Sequence, residues 1–223
     1  MKSIARTAVA IMAATALTAA SSGSAVPSKP DDRTILHVLN RIGFGARPGD
    51  VDRVREMGLA AYIDQQLHPE RIADRAMTAR LAPLETLTKS TRQLADEYFV
   101  PALMTRKEVK KDAVKDPGMT PKPDAREDGK PVRTPEQMEA ARKSREVLAE
   151  LTEQKILRAA YSERQLEEVM TDFWFNHFNV FAGKGATQQY LTEYERDVIR
   201  PHVLGKFRDL LGATAESPAM LFY

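Results

Sequence analysis

Thr171-Asp172-Phe173-Trp174-Phe175-Asn176-His177-Phe178-Asn179-Val180-Phe181 is the most aromatic run of the chain. It holds the only Trp, four of the eight Phe and one of the four His in the chain. At about 100° per residue, Leu166, Met170, Phe173, Trp174 and Phe181 fall within about 60° of His177. Glu168, Asp172 and Asn179 fall on the other side. The pattern predicts an amphipathic helix with His177 in the middle of an apolar, core-facing stripe.

Working outward, the flanks are helical too. Ser162-Glu163-Arg164-Gln165 has capping-box spacing and predicts the start of this central helix. Thr134-Pro135-Glu136-Gln137 has the same spacing with Pro at the first position, so a long helix is expected from there to about Tyr161. Ala182 to Ala186 reads as a short loop, and Thr187 to Arg200 as a helix with acids and bases at pair spacing, including Asp197 with Arg200. Pro201 restarts the chain, His202 to Leu211 are amphipathic, and Ser217-Pro218 caps a last helix.

Toward the N-terminus, Asp31 to Ile42 is a short helix that Gly43 is expected to end in a left-handed conformation. The loop Gly43-Phe44-Gly45 is expected to tuck Phe44 into the core. It lacks the spacing, the Lys and the preceding strand of a phosphate loop. Helical stripes continue through Val51, Val54 and Met57, then Leu59, Ile63 and Leu67, up to His68-Pro69. His37 falls near the core and His68 in solvent. Thr91 to about Lys111 is helical, with Pro101 as its kink or break. Residues 110–133 mix Pro and Gly with interspersed acids and bases, and predict a charged, Pro-rich, disordered insertion. No alternating strand pattern or internal repeat is visible. The fold class expected is therefore all-α, an irregular multi-helix domain.

Composition limits function. Of 223 residues, 43 % are hydrophobic and 29 % charged, an ordinary globular mixture. Residues 1–25 read as a signal peptide: Lys2 and Arg6, an apolar run from Ala8 to Ala20, and a small-residue end at Gly23-Ser24-Ala25. The formal charge is +2, and Lys2 and Arg6 account for both units, so the remainder is formally neutral and lacks a nucleic-acid footprint. No later segment reaches membrane-spanning length. With no Cys there are no disulfides or thiolate ligands. An exported protein, periplasmic or extracellular, is expected.

His177 is the candidate catalytic residue, since His is the commonest general acid/base and metal ligand. A packed core histidine is its plainer reading. Trp174, Phe175 and Asn176 are the candidate binding residues. Any metal needs ligands from elsewhere, with Glu193, Glu195, Asp197 and His202 nearest in sequence, although those acids read first as a solvated face. No Gly-x-Ser-x-Gly elbow is present. Cofactor and metal are left open.

Asn40-Arg41-Ile42-Gly43-Phe44-Gly45, Asp172-Phe173-Trp174-Phe175-Asn176-His177-Phe178, the run Arg200 to Leu211 and Pro218-Ala219-Met220 carry a resemblance. The chain resembles the bacterial family called domain of unknown function 1800, over most of residues 31–223 outside the charged insertion. The resemblance implies an exported, largely helical protein of undefined biochemistry, with an exported partner protein. Many members carry His where this chain has Phe175, which weakens a two-His site. Members also continue into a Glu-Asn-x-x-Arg-Glu-Leu type segment that this sequence lacks. Residues 26–223 are accordingly expected to be the N-terminal part of one helical domain. Two functions follow: a binding or assembly module acting with an exported partner, for which Phe175 on the polar side of the central helix suggests a surface, or a hydrolase-type envelope or extracellular enzyme with His177 in its site.

Overall fold

The computed structural model describes residues 26–115 and 134–223. The expected signal peptide and most of the expected insertion lie outside those residues. What is described is helical, with no strand among the described residues. Three N-terminal helices, α1 (Asp32–Ile42), α2 (Asp50–Met57) and α3 (Leu59–Leu67), pack around Ile35, Leu39, Val54, Leu59 and Tyr62. Short α4 (Arg75–Leu81) and α5 (Thr91–Leu94) follow, then α6 (Val100–Lys115), which extends several residues past the expected start of the insertion.

The long helix α7 (Pro135–Tyr161) is the axis of the molecule, touching α4, α6 and α8 (Gln165–His177). Its start is as expected: Thr134 accepts from the Gln137 N–H at 3.3 Å, and Gln137 Oε1 accepts from the Thr134 N–H at 3.0 Å. After α8 come α9 (Leu191–Glu193), α10 (Phe207–Glu216) and α11 (Pro218–Phe222). Ser217 caps α11, its hydroxyl accepting from the Met220 N–H at 3.2 Å. The largest core joins Leu151, Val180, Leu191, Tyr194, Ile199, Val203 and Leu210, with Trp174, Phe175 and Phe178 partly buried against it.

Two proline sites share one solution. A π-type turn at Ala95–Phe99 precedes Pro101, and another at Tyr194–Ile199 precedes Pro201. Proline removes a helical N–H and crowds the carbonyl four residues back, so a wider turn just before it relieves both problems. The second such turn buries Tyr194, Glu195 and Ile199 together.

The capping box expected at Ser162 does not form. Helix α8 begins at Gln165, with no side-chain cap from its flanking Arg164. Gln165 is instead drawn inward: its Nε2 donates to the carbonyls of Ala159 and Ser162, and its Oε1 accepts from the Phe44 N–H at 3.1 Å. This explains Gly43. Its backbone is extended, not left-handed, and a Cβ there would lie 3.0 Å from the Leu39 carbonyl oxygen and 3.2 Å from Gln165 Oε1. The loop residues with positive φ are Gly45, at 117°, and Gly49, at 85°.

The same loop is pinned by charge. Arg47 donates to Asp50 Oδ2, to Glu163 Oε1 and to the Ser162 carbonyl, while Arg53 pairs with Asp50 and Glu163. Although burial pushes the Asp50 carboxyl up, hydrogen bonds from Arg47 and the nearby Arg53 charge hold it below its usual range. The loop of residues 43–49 is thereby fastened to the α7–α8 turn, and Phe44 stands 49 % exposed rather than tucked away as expected.

Candidate functional site

The inward face of α8 is not the one its aromatic pattern predicts. Gln165, Glu168 and Thr171 are buried, while Phe173 is 52 % exposed and His177 is exposed. His177 stacks on Phe173 with ring centroids 5.8 Å apart, and touches Trp174 and Phe178 edge-on. It belongs to an aromatic cluster at the surface, completed by Phe207 at 5.7 Å from Trp174. The placement of His177 in the core is therefore corrected. Phe175, expected on an outer packing surface, is partly buried against the core: its ring lies 5.9 Å from that of Tyr194, with Lys155 Nζ 3.8 Å from its centroid. Asn176 is exposed and donates to the Asp172 carbonyl of its own helix. His37 is exposed too, not near the core.

A buried ionic network outweighs the aromatic pattern. Glu168, 4 % exposed, accepts from Arg158 at 3.1 Å through Oε1 and from Arg200 at 2.9 Å through Oε2. Glu195, 1 % exposed, accepts through Oε1 from Gln154 at 3.0 Å and Arg200 at 3.3 Å. Its Oε2 is buried without a hydrogen bond, with Lys155 Nζ 3.5 Å away. Burial works against the charge of Arg200, but Glu168 and Glu195 hold its guanidinium above the ordinary value. Arg200 is thus committed to these two acids, and the expected pair with Asp197 gives way, Asp197 pairing with Arg196. Beside the network, burial raises the Glu167 carboxyl against the pull of Arg200.

Four segments supply these groups: α7 gives Gln154, Lys155 and Arg158, α8 gives Glu168, the π-type turn gives Glu195, and the residue after it gives Arg200. The sequence shows each acid and base, but apart from Glu195 and Arg200, five residues apart, the hydrogen-bonded partners lie 10 to 41 residues away. A helical wheel cannot see such compensation. Glu193, Glu195, Asp197 and His202 do not gather about His177: Glu193 accepts from Thr91, Glu195 sits in the network, and His202 Nδ1 lies 2.8 Å from the Val198 carbonyl. Among the described residues, no group of three or more His, Asp or Glu is arranged to hold a metal ion.

On one side of the network lies a cavity of about 500 Å³. Arg75, Arg158, Arg164, Arg196 and Arg200 line it, with Asp74 as the only carboxylate in that lining. Several of these side chains are fixed in advance. Arg164 donates from Nε and a terminal nitrogen to the Ile72 carbonyl at 3.1 and 2.8 Å, and Arg196 donates to the carbonyls of Leu87 and Lys89. The Nε of Arg158 is buried without a partner. On the other side is a smaller cavity of about 210 Å³, lined by Phe44, Lys155, Glu195 and Arg200 among others.

The model of the family described as protein of unknown function DUF1800 matches residues 37–223. No curated protein and no solved structure matches the chain.

Proposed function

The chain belongs to the DUF1800 family, and from that premise we propose that it is a binding protein for a small acid, held in the arginine-lined cavity. The observation that carries this is the lining itself: five guanidiniums to one carboxylate, four of the five held in place by acids outside that lining. Arginine suits the task because its planar donors stay charged and match carboxylate or phosphate geometry. Anchoring by the Ile72, Leu87 and Lys89 carbonyls means that little side-chain order need be gained on binding.

The reading places no step of catalysis on His177, which lies on the outer face and not in this cavity. Nor does it use Phe175 as a partner-docking surface, because Lys155 and Tyr194 cover that ring.

Titration calorimetry with inorganic phosphate and with 4-methylpentanoate tests the proposal. Saturable binding of at least one is expected, weakening as salt rises. Arg158→Lys keeps a charge beside Glu168 but removes the planar guanidinium from the lining, and is expected to weaken binding about tenfold. Arg75→Ala, an exposed lining residue, is expected to weaken it a few-fold. Absence of binding for both anions, or affinities indifferent to both substitutions, contradicts the proposal.

A further inference from the structure

We propose that an outer face of α7 binds a medium-chain fatty acid, at a site separate from the arginine-lined cavity. Arg145, Leu148, Ala149, Thr152, Ile156 and Leu157 recur at spacings of one, three or four residues, so they share one face of that helix. With Gln188 they line a groove of about 580 Å³, within the usual range for small-molecule sites. A helix face turned to water is ordinarily polar, and this one is mostly apolar. Ile156 is 64 % exposed, Ala149 is exposed, and Leu148 and Leu157 are half-buried, so each can be reached from solvent.

Charge decides the kind of occupant. Arg145 and Glu153 are the charged residues of the groove lining, and they stand about 12 Å apart along the helix axis. A neighbouring cavity of about 510 Å³ shares Arg145 and Gln188 with the groove, so the two adjoin there. It adds Arg106, Gln137 and Ser144, with no carboxylate in its lining. The Arg145 end is therefore positive and rich in hydrogen-bonding groups, while the stretch beyond it is apolar. An amphiphile with one acid head matches that order. Its carboxylate sits at the exposed Arg145 guanidinium, where the fork of donors suits a carboxylate. Its tail runs along Leu148 and Ala149 toward Ile156, about 16 Å of helix, and Glu153 repels an acid head from the opposite end. A small hydrophilic anion leaves the apolar wall in water, and a cationic amphiphile meets two arginines.

The test is calorimetry on the whole chain with three probes below their micelle concentrations. Laurate carries both features, butyrate keeps the head and loses most of the tail, and dodecyltrimethylammonium keeps the tail and reverses the charge. Each buried methylene raises affinity about fourfold, so laurate is expected to bind about a hundredfold or more tightly than butyrate. It is also expected to bind about tenfold more tightly than the ammonium. Arg145→Gln is expected to weaken laurate about fivefold, and Ile156→Ser about tenfold. Both positions are exposed and neither lines the arginine cavity, so 4-methylpentanoate binding is expected to stay unchanged in both variants. No laurate binding, laurate affinities indifferent to both substitutions, or equal affinity for the ammonium overturns the inference and leaves the acid-binding function standing. Copies of the chain that associate in ultracentrifugation, and that Ile156→Ser separates, also overturn it, because the groove is then a protein interface. If laurate behaves as expected and 4-methylpentanoate does not bind, this inference stands and the acid-binding function fails.

Discussion

Replacing Arg200 with Met is expected to lower the unfolding free energy by about 3–5 kcal/mol. The guanidinium is the link between Glu168 and Glu195, at 2.9 and 3.3 Å, and both acids are almost wholly buried. Methionine fills much of the volume but leaves Glu195 with only Gln154 and a distant Lys155, and Glu168 with only Arg158. An uncompensated buried carboxylate is costly because desolvation disfavours its charge. Against a typical net stability of about 5–15 kcal/mol, the change takes a large share. Urea unfolding of wild type and variant measures it. A variant within about 1 kcal/mol of wild type shows that the acids are solvated, and the network then does not organise the fold. Adding Glu168→Gln and Glu195→Gln to Arg200→Met is expected to recover part of the loss, because neutral amides tolerate the same burial better.

The second large effect is alkaline. Burial pushes the Tyr194 hydroxyl up to about 12 from an ordinary value of 10.0. It donates to the Phe178 carbonyl at 2.8 Å, which also requires the protonated phenol. The sign follows from linkage. A folded-state value above the unfolded one means that the Tyr194 contribution is intact below about pH 10 and is lost as pH rises through about 12. Two units correspond to roughly 3 kcal/mol in all, with about half lost by pH 11. Tyr194→Phe is expected to cost about 1 kcal/mol at neutral pH through the missing hydrogen bond. The stability difference between wild type and Tyr194→Phe is then expected to shrink and reverse between pH 9 and 11. A difference that stays constant over that interval contradicts the buried, neutral phenol.

Helices were legible in the sequence wherever their signals are local. The Thr134 box and the Ser217 cap need only residues within one turn, and both form. The signals misled where a distant residue competes for the same group. Ser162 is spent on Asp74 and on the Arg164 N–H, so it does not cap α8. Gly43 does end α1, but in an extended and not a left-handed conformation, and its missing side chain serves close approach to Gln165, far along the chain. The greatest misdirection was α8 itself. Counting apolar residues put His177 inside and Glu168 outside, whereas Arg158 and Arg200 make Glu168 the inward residue. Hydrophobic periodicity ranks faces by burying apolar area, at about 25 cal/mol per Å². It has no term for an acid whose cost is met by two guanidiniums from other elements. The clue available beforehand was weak: Glu168, Glu195 and Arg200 are polar residues placed among aromatic and aliphatic neighbours in an otherwise ordinary composition.

We place the working site in the arginine-lined cavity beside this network and not on the aromatic face around His177. A crystal structure of the protein grown in selenate, with anomalous scattering to locate the anion, tests it most directly. Selenium density is expected inside the cavity, with selenate oxygens about 2.8–3.2 Å from guanidinium nitrogens of the lining arginines. A cavity holding only water, with selenate bound elsewhere on the protein or not at all, contradicts it.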